Sequence, residues 1–262
     1  MSIVKNVAHI IFSLYCWVGT YAWMITTSFL CVPVLGILGQ KRAHRLTLFP
    51  ALGWCVPMCF IRTRIHRHPE FDAKTNGMFI QNHISVLDGS LATYVIPHGF
   101  CGLFNSWHFW LPGYGWIMKL SHGIGVPSKK EGRSEVLSRA VRNRVDEIGI
   151  SVLAFPEGHR TIDGNVRPFR RGVFFMARDA GVPIIPLCVR GLYQLQNKTH
   201  HRFSPGSIDV YLGKPIPTAG LSDDQIGELA EYCQAMHQSW LETGEMPQLE
   251  GYPEPPQAQL AA

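Results

Sequence analysis

Between Asn6 and Gln40 the chain has no Asp, Glu, Lys or Arg, and Val7 to Leu38 is dominated by Ile, Phe, Leu, Val, Trp and Tyr. That run is long enough to cross a bilayer as a helix. Pro33 and Gly36 would disturb its second half, and a second apolar run, Leu46 to Ile61, is shorter and is interrupted by Pro50 and Pro57. One span followed by a half-embedded segment fits this pattern as well as two spans. A cleaved signal peptide fits poorly, because the run exceeds the usual short apolar core and no small-x-small site follows it before Lys41. The segment therefore reads as an uncleaved anchor. Tyr15, Trp17, Tyr21 and Trp23 suit interfacial, lipid-facing or packed positions, and the cluster Lys41, Arg42 and Arg45 favours a cytoplasmic position for the residues beyond it.

The composition of the whole chain is tilted toward lipid contact, although the excess is not evenly spread. Hydrophobic residues make up 46% and charged residues 16%, where soluble domains carry about a quarter charged. The formal net charge is +5, and basic residues cluster again at Arg62, Arg64 and Arg67, at Lys129 and Lys130, and at Arg167, Arg170 and Arg171. Such clusters suit anionic phosphates. Two of them flank apolar segments, which favours a phospholipid membrane as partner. Nucleic acid is disfavoured, since no zinc-finger spacing, basic-region heptads or RNA-binding aromatic signature occurs. Seven scattered cysteines, an odd number, do not form a disulfide framework and point to a reducing compartment. Cys55 and Cys59 have no second pair to complete a zinc site, so packing explains both.

After His68 and Pro69 the pattern changes to short apolar runs separated by amphipathic stretches, as an α/β domain requires. Its expected form is a mixed sheet flanked by helices, preceded by the N-terminal hydrophobic helical membrane motif. Candidate strands are Met78 to Gln81, Gly102 to Asn105, Gly123 to Val126, Val152 to Phe155, Ile184 to Val189 and Ile208 to Leu212. Leu137, Val141, Val145 and Ile148 recur at helical spacing. Ser222 with Gln225 makes a capping box before the stripe Ile226, Leu229, Cys233, Met236 and Trp240. The resulting division is 1–68 for the membrane segment, 69–243 for the α/β domain and 244–262 for a Pro-rich tail of disordered composition.

Two motifs carry chemistry. In Asn82-His83-Ile84-Ser85-Val86-Leu87-Asp88, which follows a predicted strand, a turn into a helix would return Asp88 to the His83 ring. A carboxylate there fixes the tautomer and stabilises the imidazolium, which a general base for an alcohol needs. A His and an Asp five apart also arise by chance, with Asp88 then capping the next helix. In Phe155-Pro156-Glu157-Gly158-His159-Arg160-Thr161, Glu157 and Arg160 flank a glycine turn at a strand end. That places a guanidinium for phosphate oxygens, with the carboxylate orienting a hydroxyl or holding the arginine; the bland alternative is a surface turn closed by an ion pair. Gly181-Val182-Pro183-Ile184-Ile185-Pro186 reads as a proline-bounded buried strand.

These blocks, in this order, resemble the 1-acylglycerol-3-phosphate (lysophosphatidic acid) acyltransferase family. His83 and Asp88 match its H-x-x-x-x-D, Phe155 to Arg160 its F-P-E-G-x-R, and Val182 to Pro186 its V-P-I-x-P. The resemblance implies that His83 is the general base and Asp88 its partner. It implies that Glu157, Gly158 and Arg160 help hold the acceptor's phosphate and glycerol, and that Pro183 lies in a strand supporting the acyl-donor pocket. It also implies direct attack of the acceptor hydroxyl on an acyl thioester, acyl-CoA or acyl carrier protein (acyl-ACP) being a co-substrate and no metal or cofactor being required. An oxyanion site is expected on general grounds. The family's remaining cations have Asn105 and Lys129 as their nearest counterparts here, and His159 stands where Thr is common. Those departures keep another lysophospholipid acceptor open beside 1-acylglycerol-3-phosphate.

The competing readings are a non-catalytic lipid-binding protein and a thioester hydrolase. Intact His83 and Asp88 argue against the first, and release of free fatty acid without an acceptor would mark the second. His66, His68, His108, His122, His200, His201 and His237 show no metal-ligand spacing. Gly113-Tyr114-Gly115 lacks the third glycine of a dinucleotide loop. No G-x-S-x-G elbow supports Ser85 or Ser106 as a nucleophile. The expectation is thus a membrane-associated acyltransferase, its catalytic domain on the cytoplasmic face.

Overall fold

Seven strands, β1 (Ile61–Arg67), β2 (Met78–Gln81), β3 (Phe100–Asn105), β4 (Ile124–Val126), β5 (Ser151–Ala154), β6 (Ile184–Arg190) and β7 (Gly206–Leu212), pair into one sheet. Their order is β1-β7-β6-β2-β5-β3-β4. The computed structural model describes residues 3–38, 53–112, 114–127 and 131–245. β2 to β6 run parallel, β7 is antiparallel to β6, and β1 is parallel to β7. The sheet is therefore mixed, as expected. The carboxyl ends of β2, β5, β3 and β6 leave on one rim, and β1 and β7 start there.

The central strands show why they were readable. Every residue of β2 and β5 is buried, and so are the first six of β6, the continuous apolar run of a strand covered on both faces. β1 is the strand the sequence division left outside the α/β domain, its residues falling within 1–68. As an edge strand it alternates Ile61, Thr63 and Ile65 with exposed Arg62, Arg64 and His66, and such charge protects an open edge from further pairing. Asp209 on β7 accepts from Arg64 Nε and Nη2, both at 2.8 Å, and lies 2.8 Å from His66 Nε2.

Helices α1 (Ile3–Leu38), α2 (Cys55–Met58) and α3 (Asp88–Val95) cover one face of the sheet, around Phe79, Leu153, Leu187 and Ile208. A 3-10 turn (Ser106–Trp110) and α4 (Tyr114–Leu120) follow β3. On the other face lie α5 (Arg133–Arg142), α6 (Gly172–Ala180) and α8 (Asp223–Thr243), around Met78, Ile80, Val152 and Ile184. The short α7 (Leu192–Leu195) joins β6 to β7. α5 runs on as a π-helical turn, Asn143–Ile148, and Leu137, Val141, Val145 and Ile148 all pack into the second core cluster. α8 opens with the expected capping box, and its stripe from Ile226 to Trp240 is buried.

Pro33 and Gly36 do not end α1, whose backbone stays helical to Leu38; a proline costs its helix one N–H bond, which a helix of this length tolerates. Residues 3–30 are long and apolar enough to cross a membrane. One side of α1 docks on the domain. His9 Nε2 lies 2.8 Å from the Phe203 carbonyl, Trp17 Nε1 donates to the His201 carbonyl at 2.8 Å, and Phe29 meets Trp116 edge-on at 5.8 Å. From His9 to Phe29 is about 30 Å of helix, and seven strands span about 29 Å. α1 thus reaches from the segment entering β7 to the helix between β3 and β4. An outward stripe presents Val7, Ile11, Leu14, Val18, Ile25 and Phe29, spaced three, four or seven apart and all exposed, and Phe29 at its end is also the residue that meets Trp116. Among the described residues six cysteines are free and buried, Cys55 and Cys59 among them, in keeping with packing. The second apolar run lies outside the described residues up to 52, as does the tail from 246.

Candidate active site

The loop after β2 and the loop after β5 leave adjacent strands at the same rim, so the two motifs meet. β2 ends at Gln81, and Asn82 fixes the exit: its Nδ2 donates to the Val189 carbonyl at 2.9 Å and its Oδ1 accepts from the Val189 N–H at 2.8 Å. The chain then turns so that Asp88 becomes the first residue of α3. Asp88 does not cap the helix. Its Oδ2 accepts from His83 Nδ1 at 2.7 Å and from the N–H groups of Ile84 and Ser85 at 2.8 and 3.0 Å. Negative charge at a helix start is favoured by the peptide dipoles. Asp88 is almost fully buried while the His83 side chain keeps 24% exposure, so the imidazole faces outward and the carboxylate inward. Nε2 of His83 makes no hydrogen bond among the described residues, and its ring stacks on Phe155 with centroids 4.1 Å apart.

Ser85 is held elsewhere. Its hydroxyl donates to Gln196 Oε1 and accepts from the Leu87 N–H, which excludes it as a poised nucleophile in this arrangement. Gln196, just after α7, thereby braces the loop that carries His83.

Glu157 is buried and does not pair with Arg160. Oε1 accepts from the His83 N–H at 2.8 Å and Oε2 from the Arg167 N–H at 3.1 Å. Each oxygen thus accepts one backbone N–H, which gives Glu157 a bracing position between the two loops. Burial pushes its carboxyl up to about 7, against the two N–H donors, which pull it down. The Thr161 N–H returns to the His83 carbonyl at 2.8 Å. Gly158 sits in the left-handed region at φ +75°, and a Cβ there would lie 2.6 Å from Arg170 Cζ. Arg160 is half-buried, and its Nη1 has no hydrogen-bond partner among the described residues. A guanidinium that forms no ion pair among the described residues has the chemistry to take an anion from outside.

The remaining candidates lie further off. Asn105 ends β3, exposed and two strands from β2; its carbonyl meets His108 Nδ1, and no hydrogen bond joins it to His83 among the described residues. Lys129 lies outside the described residues. Pro183 is not at this site. Its carbonyl accepts from Met78 N–H at the amino end of β2, five residues and so about 17 Å of extended chain from His83. There it seats β6 in the sheet, on the opposite rim. Sequence reasoning missed Asn82 and Gln196 as braces. A polar residue directly after a buried strand was the available signal for Asn82, and Gln196 offered none.

A family model described as Acyltransferase matches residues 62–190, from β1 to the end of β6. Human 1-acyl-sn-glycerol-3-phosphate acyltransferase alpha is 26% identical over 209 residues, covering 80% of this chain and 74% of the human one. The 1-acyl-sn-glycerol-3-phosphate acyltransferase of Salmonella typhimurium is 26% identical over 194 residues, covering 74% and 78%. Among solved structures, the 1-acyl-sn-glycerophosphate acyltransferase PlsC of Thermotoga maritima has the same fold, with a TM-score of 0.78 at 18% identity over 94% of this chain and 100% of that one.

Proposed function

We propose that the chain, which a family model described as Acyltransferase matches over residues 62–190, is an O-acyltransferase that moves a fatty acyl group from an acyl thioester to the hydroxyl of a lysophospholipid at a membrane surface. The acceptor proposed is 1-acylglycerol-3-phosphate, giving phosphatidic acid, as the names of its relatives suggest. The donor is acyl-CoA or acyl carrier protein, and the catalytic domain faces the cytoplasm, following the basic cluster after α1. The observation that carries this reading is the pair His83 and Asp88, with Nδ1 tied at 2.7 Å and Nε2 free.

His83 Nε2 takes the proton of the acceptor hydroxyl as that oxygen attacks the thioester carbonyl. The Asp88 carboxylate holds the ring with Nδ1 protonated and stabilises the imidazolium. The tetrahedral intermediate collapses by breaking the C–S bond, and the imidazolium returns its proton to the departing thiolate. No acyl-enzyme is needed, because Ser85, the hydroxyl nearest in sequence, is engaged by Gln196 and Leu87. Arg160 is the residue proposed to meet the acceptor phosphate, and the exposed Arg167 and Arg170 add positive field at the same mouth.

The test is thioester-dependent acylation by the membrane-bound protein with lysophosphatidic acid beside other lysophospholipids, and His83→Ala as control. Transfer lost in the variant supports the reading and names the acceptor. Transfer to another lysophospholipid alone replaces the acceptor, in line with Asn105 standing in place of a cation. Free fatty acid formed equally without acceptor makes the chain a hydrolase, and lipid binding without turnover makes it a lipid-binding protein.

A further inference from the structure

We propose that residues 106–119, the 3-10 turn and α4 that follow β3, form a second bilayer contact that sets the active-site mouth at the lipid surface. The proposal rests on the membrane reading of α1 and extends it to a part of the catalytic domain.

The segment starts where β3 leaves the rim that carries His83 and the Phe155–Arg160 loop, two strand spacings from β2, or about 10 Å. It then turns three large indoles outward. Trp107 is 54%, Trp110 85% and Trp116 45% exposed, and Leu111 joins them. Single exposed apolar side chains are ordinary, but three tryptophans in ten residues are not.

Three observations say what covers them. First, the patch continues the outward stripe of α1, because Phe29, itself exposed, lies edge-on against Trp116 with centroids 5.8 Å apart. Lipid that reaches Phe29 also reaches Trp116. Second, Lys119 Nζ lies 5.8 Å from the Trp110 ring and 6.0 Å from the Phe109 ring. Its stem follows the aromatic surface while its ammonium can reach a headgroup phosphate, the arrangement a lysine takes at a membrane interface. Third, no Asp or Glu occurs between Asp88 and Glu131, so the whole excursion through β3, α4 and β4 offers no carboxylate to repel phosphates. Indole combines an apolar body with one N–H donor, which is why it concentrates at the headgroup level. α1 and this segment then touch the bilayer at two places along the rim. An amphiphile held in the leaflet reaches His83 without leaving it.

The full chain, reconstituted in phosphatidylcholine/phosphatidylglycerol vesicles, tests this with a thiol-attached fluorophore at Trp110→Cys and, separately, at Leu14→Cys on the outward stripe of α1. The six described native cysteines are buried, and unsubstituted protein reports any background labelling. The expected result is that both labels are quenched by lipid-borne nitroxide and shielded from iodide, with label 110 nearer the headgroups. If label 14 is lipid-quenched while label 110 responds only to iodide, the second contact is overturned and the membrane reading of α1 stands. If both labels respond only to iodide, both are overturned.

Discussion

Replacing Asp88 by Asn keeps the shape of the side chain and removes its charge. An amide oxygen in the place of Oδ2 still accepts from His83 Nδ1 and from the N–H groups of Ile84 and Ser85. What disappears is the attraction between a carboxylate and the imidazolium that forms when the ring takes the hydroxyl proton. For unit charges about 4 Å apart at an effective dielectric of about 20, 332/(20 × 4) gives roughly 4 kcal/mol. At about 1.4 kcal/mol per decade this is on the order of a thousandfold in kcat. The acceptor KM should stay within about threefold, since Asp88 is buried and binding forms no imidazolium. Initial rates of thioester consumption with lysophosphatidic acid in mixed micelles measure both constants, and thermal unfolding in the same micelles checks the fold. A kcat within tenfold of wild type in a folded variant would refute the electrostatic role. A loss that tracks unfolding would leave Asp88 as a scaffold residue only.

Arg160→Ala should lower kcat/KM for lysophosphatidic acid by about 10- to 100-fold, the loss of one charge-assisted contact. It should leave monoacylglycerol, which lacks the phosphate, unaffected; comparing the two acceptors separates phosphate binding from general damage. Glu157, raised by burial to about 7, binds more proton in the folded than in the unfolded chain between its ordinary value near 4.5 and 7. Folding stability therefore falls as pH rises through that window, by roughly 3 kcal/mol from this group. Urea unfolding of wild type and Glu157→Gln from pH 4.5 to 8 should show that slope in wild type alone, and parallel curves would remove the assignment. Gly158→Ala must hold an L-residue at φ +75° and displace the Arg170 guanidinium. About 1–2 kcal/mol, or about 2–8 °C in Tm, is the expected cost by calorimetry. Gln196→Ala leaves the Ser85 hydroxyl without its acceptor, so kcat should fall while acceptor KM holds.

Legibility followed covering. β2, β5 and β6 are buried on both faces, and their sequences announced them as unbroken apolar runs between turns. β1 was hidden because an edge strand needs charge on its open side; Arg62 and Arg64 looked like part of a basic flank when they share, with His66, one face of a pleat paired to β7. α1 carried no breaks because Pro33 lacks only one hydrogen bond of many. In the site, His83 and Asp88 were readable since their five-residue spacing closes within one turn into α3. Pro183 was expected in a strand supporting the acyl-donor pocket, and it directly precedes β6 at the rim away from His83. Its block lies in a strand next to β2, but a strand has two ends, and spacing alone does not say which end faces the chemistry.

The role of Glu157 shows what the sequence motif hides. A conspicuous Glu beside an Arg invites a reading as a ligand pair, yet its two oxygens accept from His83 and Arg167 backbone. With the Thr161 N–H on the His83 carbonyl and the Arg170 N–H on the Pro156 carbonyl, these bonds make one body of two loops that lie 74 residues apart in sequence. Pairing of β2 with β5 brings the loops side by side, and the buried carboxylate fixes their separation. That separation sets the distance between the proton acceptor and the guanidinium proposed to hold the acceptor. A hydroxyl tethered through its own phosphate can then reach Nε2 only if the two loops keep their spacing. On the proposed function, the Glu157 brace would act on acceptor geometry through the spacing of the two loops. Glu157→Gln, which loses one of the two backbone acceptors, should accordingly depress kcat more for lysophosphatidic acid, anchored at Arg160, than for monoacylglycerol, which is not. Equal losses on both acceptors would show that the brace serves the His83 loop alone.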